Sequence, residues 1–204
     1  MAKKLAEIFK KYGITTKESI ALFLATCAHE SDYGRLILEE GTQAYFDNMD
    51  KYGYNDRGVG YIQLTMRDVH LKFLKDMGDS YNGQNTAQHI ADNYDPWEVS
   101  AYVWLGMRTE NGNKNRQDLN DYSSQYGAGE NIFLVTQYFI NWWPSPSSPE
   151  YKTIDADLSS VRKGGAYQIK DSRLYVNGRN YRLPEGWASR IKAYNNIMDN
   201  YYNK

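Results

Sequence analysis

The apolar positions of this chain recur mostly at helical spacing. Residues 3–12 alternate lysines with Leu5, Ile8 and Phe9, which predicts a short amphipathic helix stopped at Gly13. Thr15, followed three positions later by Glu18, has the form of a capping box. The helix it opens carries Ile20, Phe23, Leu24 and Cys27 at i, i+3, i+4 and i+7. Extending that stripe brings Glu30 to the buried edge of the last turn, an unusual position for a carboxylate. Further helices are expected over 66–77, ended by Gly78, over 84–92, from Asp95-Pro96 through Leu105, over 130–142 up to Trp142-Trp143-Pro144, and over about 186–201.

Between them, the Gly, Asn and Asp content of 41–60 predicts irregular chain or a small hairpin around Tyr52–Gly60. The polar 109–128 stretch reads as loop or weak helix. Residues 144–165, rich in Pro, Ser and Gly, read as a linker or excursion. Val176-Asn177-Gly178-Arg179 is a two-residue hairpin turn between alternating strands. The expected fold class is therefore mainly α with one or two small β-hairpins. It forms one domain over 1–204, with an insertion at about 144–184.

Composition narrows the function. A formal net charge of −1 gives no general attraction to nucleic acid or to an anionic membrane. A single cysteine, Cys27, excludes an internal disulfide and reads as a buried small hydrophobe. The N-terminus has no apolar stretch of signal-peptide length, and no segment approaches the roughly 20 apolar residues of a membrane span. Synthesis in the cytoplasm follows as an expectation, without membrane insertion and as a monomer. Nineteen tyrosines and five tryptophans supply amphipathic rings suited to sugar faces, although most such rings serve packing.

Glycosidic hydrolysis needs a protonated acid at the leaving oxygen and a second carboxylate that activates water or attacks the sugar. Desolvation at an apolar helix edge would let Glu30 hold its proton, and Glu39 or Glu40, nine and ten residues on, can fold back to face it. The plain alternatives are a helix-end glutamate paired with a base and two solvated loop acids. A zinc site is disfavoured, because His29-Glu30 is followed by Tyr33 where H-E-x-x-H needs histidine, and His70 and His89 fall on separate helices. A Cys27–His29 nucleophile pair fails because residues two apart on a helix diverge. No metal or cofactor is expected.

Ala28-His29-Glu30-Ser31 at a helix end, then the acidic pair, then Gly58-Val59-Gly60-Tyr61-Ile62-Gln63-Leu64-Thr65, resembles glycoside hydrolase family 19, which contains chitinases and lysozyme-like phage endolysins. Two fainter likenesses keep the family's order: Ser100-Ala101-Tyr102-Val103-Trp104 after Asp95-Pro96, and Gly186-Trp187-Ala188-Ser189-Arg190 with Tyr194. The resemblance implies a lysozyme-like helical domain that cleaves β-1,4 bonds beside N-acetylglucosamine with inversion. It implies Glu30 as general acid and Glu39 or Glu40 as base. Tyr61, Gln63, Thr65, Asn141 and Arg190 would then bind substrate or hold the attacking water. The sequence departs from the pattern at Val59, where the family carries Arg and the nearest arginine is Arg57. It departs again after Asn141, where Trp142-Trp143-Pro144 replaces two glycines. Peptidoglycan is the expected substrate, reached after holin-type release or lysis. A chitinase, or an amino-sugar-binding relative without turnover, is the alternative.

Overall fold

The computed structural model describes residues 2–48, 53–106, 118–141 and 149–204. Within them the chain is mainly helical, with one small antiparallel sheet. The helices are α1 (Ala2–Lys11), α2 (Lys17–Glu30), α3 (Gln43–Asp47), α4 (Arg67–Asp76), α5 (Thr86–Asn93), α6 (Pro96–Trp104), α7 (Leu119–Tyr126), α8 (Glu130–Asn141), α9 (Pro149–Arg162) and α10 (Trp187–Ile197). The strands are β1 (Gln168–Lys170), β2 (Arg173–Val176) and β3 (Arg179–Arg182), paired in that order. No helix among the described residues is long and apolar enough to cross a membrane. Trp142, Trp143 and Pro144, the anticipated end of the 130–142 helix, lie outside the described residues, as do 109–117 of the polar stretch and the first residues of the anticipated insertion.

The fold groups into two compact units, one of Met1–Thr15 with Cys27–Asn120, the other of Thr16–Thr26 with Asp121–Lys204. In the first unit the Asp95 carboxylate caps α6 by accepting from the Trp97 N–H at 2.8 Å, with Pro96 at the position where a missing N–H costs nothing. Val99, Ala101, Tyr102, Val103 and Trp104 of α6 are all buried, so this helix is apolar on nearly every side. Trp104 sets its indole N–H on Asn120 Oδ1 at 3.0 Å, satisfying the one polar atom of a fully buried ring. His70 on α4 is buried between Leu64 O (2.8 Å) and Thr86 Oγ1 (2.7 Å), and burial pulls its pKa below the usual imidazole value.

In the second unit α8 buries Ile132 through Tyr138 without interruption. Leu134, Val135 and Tyr138 join Ile154, Leu158 and Val161 of α9 and Leu174, Val176 and Tyr181 of the sheet in one core. Asp157, on the same buried face of α9, accepts from Arg179 Nε and Nη2 at 2.7 and 2.6 Å, from Asn177 Nδ2 at 2.8 Å and from Tyr181 OH at 2.5 Å. This pins the β2–β3 hairpin to the helix. The Arg179 guanidinium holds the Asp157 carboxyl down to about 2.

Three sequence expectations require correction. Residues 149–162 of the presumed linker are helical, because Ile154, Leu158 and Val161 form an apolar stripe that the flanking Pro, Ser and Gly obscure. Burying each of these side chains contributes about 1.5–3 kcal/mol, enough to override local composition. The start of α2 is capped by Thr16, whose hydroxyl accepts from the Ser19 N–H at 3.1 Å, and not by Thr15. Finally, α2 has no single apolar stripe, since Ser19, Ala21, Leu22, Ala25 and Thr26 are as buried as Phe23 and Cys27, while Ile20 and Leu24 are half-exposed.

Candidate active site

The first unit holds six of the eight residues singled out from the sequence, Glu30, Glu39, Glu40, Tyr61, Gln63 and Thr65, and the second holds Asn141 and Arg190. Glu30 is the last residue of α2 and is half-buried. Just beyond it the chain makes an abrupt left-handed turn through Asp32 (φ +49°), Tyr33 (φ +58°) and Gly34 (φ +87°). Ser31 straps this turn. Its buried hydroxyl donates to Cys27 O at 2.6 Å and accepts from the Gly34 N–H at 2.9 Å. The Tyr33 N–H reaches back to Ala28 O at 2.7 Å, which closes the helix end. Burial drives the Cys27 thiol far up, so Cys27 serves as a packed hydrophobe.

The two adjacent acids have different surroundings. Glu40 is exposed, whereas Glu39 is half-buried and doubly tied to Gly58. The Glu39 N–H donates to Gly58 O at 2.8 Å, and Glu39 Oε2 accepts from the Gly58 N–H at 2.9 Å. One glutamate therefore has a fixed carboxylate, oriented by backbone. Neighbouring bridges between Leu38 and Val59 and between Val59 and Leu64 continue this pairing, and the Gly60 N–H donates to Ile37 O at 2.8 Å.

The Gly58–Thr65 segment is thus a tight hairpin. Val59 and Leu64 exchange both backbone bonds, at 2.9 and 2.8 Å, around a turn from Gly60 to Gln63. Gln63 is left-handed (φ +58°), and its amide Nε2 donates to Gly60 O at 2.8 Å. This folds its side chain over Gly58, where a Cβ would lie 2.3 Å from Gln63 Oε1. Glycine at 58 is therefore what lets Glu39 and Gln63 converge on one backbone unit. The Thr65 hydroxyl donates its proton to Gln63 O at 2.7 Å, so toward a ligand it can serve only as an acceptor. Tyr61 is anchored by its N–H on Ser100 Oγ at 2.7 Å and its ring meets Trp97 edge-on at 4.4 Å. Next in the chain, Met66 has φ +82° and ψ +141°, a region that side chains with a Cβ seldom enter.

In the second unit Asn141 and Arg190 are brought together. Arg190 is 2% exposed, and its Nη2 donates to Asn141 Oδ1 at 2.8 Å, its Nη1 to Gln137 Oε1 at 2.8 Å and its Nε to Glu185 O at 2.6 Å. Arg57, which stands nearest the position where the resemblance leads one to expect an arginine, is 4% exposed. It lies over the Tyr54 ring at 3.9 Å and donates to Tyr54 O at 2.6 Å. Its guanidinium is occupied in packing this loop.

Sequence reasoning missed the Gly58 N–H, the Ser31 strap and Ser100, because each acts through a backbone contact with a partner that its own residue type does not reveal. The Gly58-x-Gly60 spacing was the available signal for the first. Among the described residues no group of three or more His, Cys, Asp or Glu is gathered to hold a metal ion. No family model matches the chain, and no curated protein or solved structure matches it either.

Proposed function

We propose that this chain hydrolyses an N-acetylated amino-sugar polymer, with bacterial peptidoglycan as its substrate, by an inverting mechanism that uses Glu30 and Glu39. The observation that carries the reading is the Gly58 N–H bond to Glu39 Oε2, which aims one acid of the pair beside the turn bearing Gln63. An orienting bond of this kind is what a base must have to meet a water rather than solvent at large. Glu40 is exposed.

In this reading Glu30 gives its proton to the glycosidic oxygen as the bond breaks. Glu39 takes a proton from a water that attacks the anomeric carbon from the opposite face. Gln63 and Thr65 supply an amide and a hydroxyl oxygen for substrate or for that water, and Tyr61 offers a half-buried ring. Positive-φ residues Asp32 and Tyr33 follow Glu30 in the chain, and Gln63 and Met66 lie in and just after the hairpin whose Gly58 binds Glu39; backbone strain of the kind held at Tyr33 and Met66 collects at functional sites.

The test is lysis of purified cell walls by the wild type and by Glu30→Gln. The variant is expected to keep its melting temperature and its binding to walls while losing at least a thousandfold in turbidity clearing, and the wild-type products should carry the inverted anomer by NMR. Equal lysis by both proteins removes Glu30 from the chemistry. Release of oligomers from chitin but not from walls would make the enzyme a chitinase, and binding without turnover by the wild type would make it a sugar-binding relative.

A further inference from the structure

The outer face of the β-sheet carries an ordered row of cations that the hydrolytic reading leaves unused. Strand register opposes Lys170 to Arg173 and Arg173 to Arg182, so three cations lie side by side across three strands. Leu174, Val176 and Tyr181 point the other way, into the core, which fixes the row on the solvent side. The next row on the same face is Gln168, Tyr175 and Asn180, again in register and exposed. Arg173 Nε donates to Asn180 Oδ1 at 2.6 Å, tying the two rows together. The nearest acid on the sheet is Asp171, 4.0 Å from Lys170 and itself exposed.

Like charges directly opposed across strands destabilise a sheet. Neighbouring strands lie about 4.8 Å apart, so the three cations span roughly 10 Å. A chain with a net charge of −1 has no need of such a concentration for solubility. We infer that this face is a binding site for an anionic polyol-phosphate polymer, the cationic row meeting phosphates and the amide and phenol row meeting the intervening hydroxyls. The choice of that polymer rests on the proposed action on bacterial walls, where such chains accompany peptidoglycan. The face offers one aromatic ring, Tyr175, and no run of rings for stacking bases, which disfavours single-stranded nucleic acid.

The experiment titrates the full chain with fluorescent poly(glycerol phosphate) from about 50 to about 200 mM salt. It compares the wild type with Glu30→Gln and with the triple variant Lys170→Gln/Arg173→Gln/Arg182→Gln. Wild type and Glu30→Gln are expected to bind equally, with a log–log salt slope near −2 for about three phosphate contacts. The triple variant should lose at least tenfold in affinity and most of that slope while melting no lower than the wild type. If the triple variant is unstable, Arg182→Gln alone should show a loss of about threefold. Undiminished binding by a folded variant, absence of wild-type binding at the lowest salt, or tighter binding of oligo(dT) through the same residues would each overturn the proposal. The probe contains no amino sugar, so polymer binding without wall lysis sinks the hydrolase reading and spares this one. Lysis without polymer binding does the reverse.

Discussion

The left-handed residues of the first unit differ in kind from those of the second. Among the described residues of the second unit the non-glycine residues with positive φ are Asp171, Ser172 and Asn177, and each sits at the tip of a two-residue hairpin. Such turns require that conformation to match strand twist, and Asp and Asn adopt it at little cost. In the first unit they are Asp32, Tyr33, Gln63 and Met66. None of these joins two strands of the sheet, and Tyr33 and Met66 gain nothing from a short side chain that bonds its own backbone. The second-unit set is the routine geometry of turns; in the first unit Tyr33 and Met66 hold a conformation that their side chains do not favour, one just past Glu30 and the other just past the hairpin that carries Gln63.

That contrast can be broken or sharpened by substitution. The largest effect is expected where the second unit is held by charge. Asp157→Asn should cost about 2–3 kcal/mol of stability, because it weakens four converging hydrogen bonds of which the Arg179 pair is charge-assisted. The depressed Asp157 carboxyl contributes stability that is complete above its ordinary value of 3.8 and is lost as pH falls toward about 2. Thermal melts of wild type and variant should therefore converge on acidification across that window. A difference that stays constant with pH would show that the carboxylate charge does not matter.

Next comes Gly58→Ala. The added methyl meets Gln63 Oε1 at 2.3 Å and Gln63 Cβ at 3.1 Å, so the glutamine must swing aside. We expect a stability loss of about 1 kcal/mol together with a fall in wall lysis of more than tenfold. Unchanged turnover would mean that the placement of Gln63 is irrelevant to the reaction. The smallest effect separates strain from routine turn geometry. Met66→Gly should stabilise by about 1 kcal/mol, relief of backbone strain outweighing the entropy of a glycine, whereas Asn177→Gly should change stability by less than about 0.5 kcal/mol. Denaturant titrations that rank the two in the opposite order would remove the distinction.

Where periodicity and capping chemistry agree, the elements could be read from the chain. The helix opened by Asp95-Pro96 and the hairpin at Asn177-Gly178 stand where residue types alone put them. Helix α9 was hidden because its large aliphatic positions are only three and its flanks look like a linker; the partners that bury Ile154, Leu158 and Val161 come from α8 and the sheet. Strand β1 was hidden because its turn uses Asp171-Ser172, which lacks the glycine that marks the other hairpin. The same limit governs the candidate site. Glu30 could be picked out by its place at a helix end, but the difference between Glu39 and Glu40 depends on an N–H nineteen positions away in the chain. Local pattern carries no record of such a partner.

The buried chain from Arg190 through Gln137 has one further property. Thr26 gives its proton to Leu22 O at 2.9 Å, so its oxygen can only receive, and Gln137 Nε2 supplies that bond at 2.9 Å. The carbonyl end of Gln137 must then face Arg190, which can only give. Every link has a fixed polarity, and rotating the Gln137 amide by half a turn would set donor against donor at one end and acceptor against acceptor at the other. Three helices are thereby keyed to one another as a lock is to its wards: the register among α2, α8 and α10 that satisfies this wire excludes its near misses, a form of proofreading that apolar packing by itself does not provide.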